Sequence, residues 1–322
     1  EAHRLHGVEI ILVGRAEEVL RAVEACGEKT LPAGVEVRDA REVVEIADDP
    51  ATAFKVKKDS SLTVGLNLLK EGAGDAFVSA GSTGALLAGA TLLVKRIRGI
   101  RRAAMGPVFP TAKGQAILCD CGANAECTPE YLLQFAYLGS YYAKRVLGVA
   151  EPRVGLLNIG AEAEKGDTLR HEAYALLQEA DAAGRIRFVG NVEANAAMEG
   201  QADVVVADGF SGNIMLKCME GTSGFLLRQL KGVFLSNLRT KLGALLIKGD
   251  LGALKKKLDP RETGGTPFLG ICRPVIKAHG SSDARAACNA ILRAKEYAES
   301  GFIADVEANV ALMKVERPAE KA

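Results

Sequence analysis

Asp75-Ala-Phe-Val-Ser-Ala-Gly81-Ser-Thr-Gly84 and Asp203-Val-Val-Val-Ala-Asp-Gly209-Phe-Ser-Gly212 are two copies of one pattern. Three anchor pairs, Asp75/Asp203, Gly81/Gly209 and Gly84/Gly212, each differ by 128 positions. Each copy reads as a short apolar strand, a glycine turn and then an apolar run at helical spacing, Ala85 to Ala88 and Asn213 to Lys217. Such a turn lets backbone N–H groups approach an anion at the positive end of a helix. Glycine also serves tight turns in ordinary α/β connections, so one copy alone decides little. The matched pair implies an old duplication, with two half-domains facing one cleft and phosphate as the expected ligand.

Working outward, strand and helix signals alternate. Val8 to Val13 reads as a strand, Ala16 to Ala25 as a helix, and a polar link runs to Asp48-Asp49-Pro50. Helices follow over Ser60 to Glu71 and Thr83 to Val94, and then a basic loop, Lys95-Arg96-Ile-Arg98-Gly-Ile-Arg101-Arg102. Strand Gln115 to Cys119 ends at Asp120-Cys-Gly122-Ala-Asn124, and Thr128-Pro129-Glu130 opens a long helix with proline at its first position. Strand Arg153 to Asn158, helix Asp167 to Glu179 and strand Ile186 to Val189 continue the rhythm. The alternation predicts an α/β fold with a largely parallel sheet covered on both faces. Ligands of such sheets bind at the carboxyl ends of strands, where Gly81, Asp120, Asn158, Asn191 and Gly209 fall.

With 322 residues the chain can bury one large α/β core or two intertwined subdomains. A composition of 48% hydrophobic and 25% charged residues excludes disordered and fibrous classes. A net charge of +1 argues against generic nucleic-acid binding. The absence of a long uncharged apolar run or a signal-peptide core predicts a cytoplasmic protein without a transmembrane helix. Seven scattered cysteines suit reduced thiols. The tightest group, Cys119, Cys121 and Cys127, lacks zinc-ligand spacing, so no metal is expected there.

One segment departs from this neutral background. Phe225 to Leu258 carries eight Lys or Arg residues against Asp250 alone, a balance of +7, beside leucines at helical spacing. Gly232, Gly243, Gly249 and Gly252 predict a split into short helices. The readings are a packed helix pair, contact with an anionic membrane surface, or contact with an acidic protein.

Taken in order, Lys57-Lys-Asp-Ser-Ser61, Ser79-Ala-Gly-Ser-Thr-Gly-Ala85, Asp120-Cys-Gly-Ala-Asn124, Gly155-Leu-Leu-Asn-Ile-Gly160, Lys165-Gly166, Gly190-Asn-Val-Glu193, Asp208-Gly-Phe-Ser-Gly-Asn213 and Lys277-Ala-His-Gly-Ser-Ser-Asp283 resemble the phosphate acyltransferases of bacterial phospholipid synthesis. The resemblance implies transfer of a long-chain acyl group from acyl carrier protein to inorganic phosphate, giving acyl phosphate, without a cofactor. It also implies a three-layer α/β/α fold of two intertwined, pseudo-symmetric halves, like isocitrate and isopropylmalate dehydrogenases and phosphotransacetylases. The whole chain would then be one catalytic domain, homodimeric and peripherally membrane-associated through projecting amphipathic helices, here Phe225 to Leu258. The family's opening strand and Asp-Ala-Met-Gly-Gly-Asp loop have no counterpart before Glu1, so this chain is expected to lack them. Ser82 replaces the family's usual Asn, and Ala194-Asn-Ala196 replaces Gly-Arg-Asp, removing a cation.

Phosphate is itself a nucleophile, so the chemistry needs an anion cradle and oxyanion donors rather than a triad. Lys165, Asn213, Lys277 and His279 are the expected catalytic residues, with His279 expected to protonate a leaving thiolate or donate to phosphate, the alternative being a structural histidine that caps the following helix. Gly81, Ser82, Thr83, Gly84, Arg102, Asp120, Asn124, Asn158, Asp208, Gly209, Gly212, Ser281 and Ser282 are the expected substrate-binding residues. A short-acyl phosphotransacetylase, a metal-dependent hydroxyacid dehydrogenase and a non-catalytic membrane scaffold are the alternatives. The first would not need the basic helices, and the second would need clustered aspartates, whereas Asp203, Asp208 and Asp283 are dispersed.

Overall fold

A computed structural model describes residues 2–28, 30–259 and 262–315. Eleven strands are found among them: β1 Ile10–Gly14, β2 Val35–Asp39, β3 Phe77–Ser79, β4 Ala104–Met105, β5 Val108–Thr111, β6 Gly114–Cys119, β7 Arg153–Leu157, β8 Arg187–Val192, β9 Val204–Val206, β10 Thr266–Leu269 and β11 Val275–Lys277. They form a parallel β1-β2 pair, a four-stranded sheet in the order β3-β11-β10-β4, and a five-stranded sheet in the order β5-β6-β9-β7-β8. The five-stranded sheet is parallel except at β5, as the alternating pattern predicts. The four-stranded sheet is mixed: β3 and β11 run parallel, and β10 runs against both β11 and β4.

Both sheets are covered on both faces. Along β6, Ile117 and Cys119 join one core cluster while Ala116 and Leu118 join another, and along β9 Val204 and Val206 separate from Val205 in the same way. This is the period-two alternation of a strand buried on each side. In the four-stranded sheet, Phe268 and Val275 pack with Leu62, Leu66 and Leu86, while Leu269 and Ile276 turn to Tyr297 and Ala294. The largest cluster spans both sheets, so they share one helical layer. Its centre is helix Pro129–Arg145, with proline in its first turn, Glu130 near its positive end, and Lys144 and Arg145 near its negative end.

The chain enters the four-stranded sheet through β3 and β4, builds the five-stranded sheet without interruption from β5 to β9, and returns to the first sheet with β10 and β11. The halves are therefore interleaved.

The strongly basic segment differs from its expected form. Phe225 lies inside a 27-residue helix, Gly209–Leu235, that starts at the second glycine turn. Helices Leu238–Leu246 and Lys248–Leu258 follow. Gly232, Gly243, Gly249 and Gly252 all sit inside helices, and the breaks fall at Ser236-Asn237 and at Ile247. An Asn237–Thr240 capping box, which satisfies otherwise orphaned N–H groups, starts the second helix. Leu238, Leu245 and Leu246 are 74%, 66% and 87% exposed, and neither of the last two helices buries a residue. No helix among the described residues is long and apolar enough to cross a membrane.

Candidate active site

Ser79 and Lys277 are register partners at the carboxyl ends of parallel strands β3 and β11. The first glycine turn and the Lys277-to-Ser282 loop therefore emerge side by side. Gly81 is exposed, and its N–H is turned back to Ser79 Oγ at 3.2 Å. Ser82 caps the following helix by accepting from the Ala85 N–H, with Thr83 as its first residue, and Gly84 packs against Pro50. Lys277 is half-buried. Its ammonium donates to the Ala278 carbonyl at 2.6 Å and to the Ala80 carbonyl at 3.3 Å, and burial lowers its pKa. Among the described residues no carboxylate lies within ion-pair distance of it. A desolvated ammonium satisfied only by carbonyl dipoles attracts an anion.

His279 stands exposed beside this cation. Its Nδ1 lies 2.8 Å from Ser281 Oγ and 3.2 Å from the Ser281 nitrogen. A backbone N–H donating to Nδ1 places the neutral ring's proton on Nε2. Ser282 donates its N–H to the His279 carbonyl, closing the turn. The following helix is capped by Asp283, which accepts from the Ala286 N–H, so His279 is not its cap.

The second glycine turn has a different task. Added Cβ atoms would lie 2.0 Å from the Asp120 carbonyl at Gly212 and 2.6 Å from the Asn124 carbonyl at Gly209. Both glycines thus exist for contact with the Asp120-to-Asn124 loop. The Gly209 N–H donates to Asn124 O, and the Ser211 N–H donates to Asp208 Oδ1, so the start of this helix is largely engaged internally. Asn213 is exposed alongside Gly122 of the same loop.

Asp120 is fully buried and expected from the sequence to touch substrate, yet both its oxygens are used within the fold. Oδ1 accepts from Met105, Cys121 and Ala123, and Oδ2 accepts from the Asn124 N–H and Nδ2. Burial pushes its carboxyl up while these donors pull it back. Asn124 also donates to the Ala103 carbonyl at 2.8 Å. These bonds fasten the five-stranded sheet to β4. β3, β4 and β11 share one direction, and β4 runs on toward β5 antiparallel to β6, so the carboxyl ends of the two sheets converge from opposite directions on one crest at the Met105–Asp120 contact. Lys277 stands two strands from β4, about 10 Å by strand spacing.

Farther along the crest, Asn158 follows β7, donates to the Lys165 carbonyl and accepts the Ile159 N–H. Lys165 is exposed and its stem folds over Gly160. Asn191 is buried inside β8, which runs three residues beyond the strand expected from the sequence, with Gly190 at a positive φ within the pairing. Asp203 lies at the opposite end of β9 from Asp208 and is held by Arg153. No group of three metal-ligating side chains exists among the described residues.

Arg170 is a further residue of this region, one that no motif in the sequence marks. Its guanidinium joins Asp167, Asp208 and Ser211 Oγ, and its side chain is only 14% exposed. Burial raises the Asp208 carboxyl, and the Ser211 N–H and Arg170 together bring it below its ordinary value. The available signal was local, an arginine three places after the helix-capping Asp167. These groups floor a cavity of about 580 Å³ with Cys127, Leu169 and Phe210 on its walls. Burial pushes the Cys127 thiol up to about 12, so it is protonated at neutral pH. Arg102 lies apart from Lys277, its guanidinium 5.8 Å from the Tyr131 ring centre, in a separate basic cavity.

Residues 1–305 match the sequence profile of the family described as fatty acid synthesis protein. The phosphate acyltransferase of Acetivibrio thermocellus is 43% identical over 310 residues, covering 96% of this chain and 90% of the relative. That of Desulfitobacterium hafniense strain DCB-2 is 47% identical over 301 residues, covering 93% and 88%. Among solved structures, a phosphotransacetylase from Streptococcus pyogenes superposes with a TM-score of 0.60 at 18% identity, covering 89% of this chain and 84% of that one. A phosphotransacetylase from Staphylococcus aureus gives 0.58 at 17% identity, covering 89% and 86%. These two likenesses establish a shared α/β fold.

Proposed function

The chain belongs to the fatty acid synthesis protein family and is a phosphate acyltransferase, and from this premise we propose that it moves a long-chain acyl group from acyl carrier protein to inorganic phosphate. The observation that carries this reading is Lys277, a half-buried ammonium with no carboxylate partner among the described residues, placed beside an exposed glycine turn at a strand end. Phosphate binds there against the Lys277 ammonium and the backbone of Ser82 and Thr83, with Gly81 leaving room for the close approach. One phosphate oxygen attacks the thioester carbonyl carbon and a C–O bond forms. The tetrahedral oxyanion collapses, the C–S bond breaks, and the departing thiolate accepts a hydrogen bond from His279 Nε2–H and takes its proton from water.

Lys165, Asn158 and Asn213 stand along the same crest as donors for the carbonyl oxygen. Asp120, Asn124, Asp208, Gly209, Gly212 and Arg170 hold the framework, and preorganised donors in such a frame stabilise developing charge without reorganising. The cavity walled by Leu169, Phe210 and Cys127 offers apolar contact for the acyl chain next to the thioester. The protonated Cys127 supports direct attack by phosphate over a covalent acyl-enzyme.

The exposed leucines and +7 balance of Phe225 to Leu258 support peripheral docking of a cytoplasmic enzyme on an anionic membrane, and the same apolar surface suits a homodimer contact. The deciding experiment is incubation of palmitoyl-acyl carrier protein with phosphate, with hydroxylamine trapping of acyl phosphate. Absence of phosphate-dependent product from folded enzyme would overturn the reading.

A further inference from the structure

The segment Lys95-Arg96-Ile97-Arg98-Gly99-Ile100-Arg101-Arg102 places five cations and no carboxylate within eight residues of a chain whose net charge is +1. Its backbone is held tightly. Ile97 and Ile100 are 1% and 4% exposed and anchor the loop in the core. Arg96 bridges antiparallel to Ile271, the Ile97 N–H donates to Gly270 O, and the Cys272 N–H donates to Lys95 O. Gln134, fully buried, gives its whole amide to this loop: Oε1 accepts the Arg101 N–H at 2.8 Å and Nε2 donates to the Gly99 carbonyl at 3.1 Å. Lys95 adopts a φ of +78°, a conformation that disfavours a residue with a Cβ and persists where surrounding structure fixes it.

The side chains, in contrast, are spread outward. Lys95, Arg98, Arg101 and Arg102 are exposed, and among the described residues only Arg101 of these four is paired with a carboxylate, Glu130 at 3.0 Å. Among the described residues the other cations of the loop have no carboxylate within 4 Å. Arg96, Arg101, Arg102, Glu130 and Tyr131 line a cavity of about 530 Å³. This surface adjoins the site: Ala103, next to Arg102, is bonded to Asn124, and Glu130 and Tyr131 begin the helix that follows the Asp120-to-Asn124 loop.

We propose that the loop from Lys95 to Arg102 is a preorganised docking platform for an acidic protein face, and that its occupant is the acyl carrier protein. The occupant's identity rests on the function proposed above, since that protein must bring its thioester to the crest beside this loop. A rigid backbone lowers the ordering cost of association, and unpaired rim cations raise the encounter rate with an acidic partner. Five clustered cations on an inflexible loop fit a macromolecular surface better than the single phosphate that Lys277 can hold.

The test is binding of unacylated carrier protein to the full chain by fluorescence anisotropy across a salt series. The variants are Arg98→Glu and the double variant Arg98→Gln with Arg101→Gln, each checked by thermal melting. We expect Kd to rise tenfold or more at low salt, with a shallower salt dependence than wild type. KM for acyl-carrier protein should rise in parallel, while transfer from the neutral donor palmitoyl-pantetheine stays within twofold. Unchanged Kd in folded variants overturns the proposal. So does loss of anionic-vesicle sedimentation with carrier-protein binding intact, which would make the loop a membrane contact. A wild-type enzyme that binds carrier protein through this loop yet forms no acyl phosphate would instead overturn the proposed reaction and leave the platform standing.

Discussion

The Met105 N–H donates to Asp120 Oδ1 at 2.8 Å, and this bond fastens the carboxyl end of one sheet to the edge strand of the other. Asp120 does not face the cleft. It gathers the loop whose far side receives Gly209 and Gly212, so the framework of the crest converges on one buried carboxylate.

The two glycine turns should therefore respond differently to the same substitution. Gly212→Ala would place a Cβ 2.0 Å from the Asp120 carbonyl, whereas Gly81→Ala would meet nothing closer than Ser79 Oγ at 3.4 Å. We expect Gly212→Ala to lose about 3 kcal/mol or more of stability, as overpacking against backbone does. Gly81→Ala should melt within a few degrees of wild type and raise KM for phosphate. Urea denaturation and phosphate titration check the pair, and equal destabilisation would contradict this division of labour.

Lys277→Ala should lower acyl phosphate formation by about 10²–10³, the usual range for one lost oxyanion-site donor, with little change in melting temperature. Burial lowers the pKa of this lysine, and lysine is charged below its pKa. Phosphate affinity should accordingly be retained at neutral pH and lost on the alkaline side earlier than an ordinary lysine would allow. Lys277→Arg, charged throughout, should remove that limb from the pH profile of kcat/KM. Lys165→Ala should also slow transfer without altering stability, because its side chain is exposed.

Cys127→Ala should remain active. A thiol with a pKa of about 12 is almost wholly protonated at neutral pH, and Cys121, at the same value, is buried deeper. An inactive Cys127→Ala enzyme with an unchanged melting temperature would establish an acyl-enzyme route instead.

Introducing Leu245→Glu and Leu246→Glu together should abolish sedimentation with anionic liposomes and leave folding intact, since both side chains project into solvent. Wild-type binding should weaken with salt, each basic residue near such a surface contributing on the order of 1 kcal/mol. A double variant that binds liposomes as wild type does would remove these leucines from the membrane contact.

The repeat carried most of the architecture. Strands β3 and β9, each followed by a turn and a helix, lie where Asp75 and Asp203 open the two copies. The long helix at Pro129 was equally legible from its opening proline. What the pattern concealed was the asymmetry between the copies. Close packing and anion binding both select glycine, so Gly212 against Asp120 and Gly81 in the open look alike in one dimension. Strand β2 is not legible because Val35-Glu-Val37 is too short an alternation to stand out in a polar link. Arg170 is not legible because its partner Asp208 is 38 residues away and reached only through the parallel pairing of β7 with β9. The glycines after Phe225 do not break the helices, which tolerate each at a modest cost of about 1 kcal/mol.

The interleaved chain path also imposes an order on biosynthesis. All strands of the five-stranded sheet have been synthesised once Val206 has emerged, whereas β3 must wait for β11, roughly 200 residues later, before Ser79 meets Lys277. The nascent polypeptide thus completes the strands of its larger sheet before the strand that carries Lys277 is made. Pulse-labelled hydrogen exchange during refolding should find amides of Val204 to Val206 protected before those of Phe77 to Ser79; the reverse order would mean that the longest-range pairing in the sheet nucleates the fold.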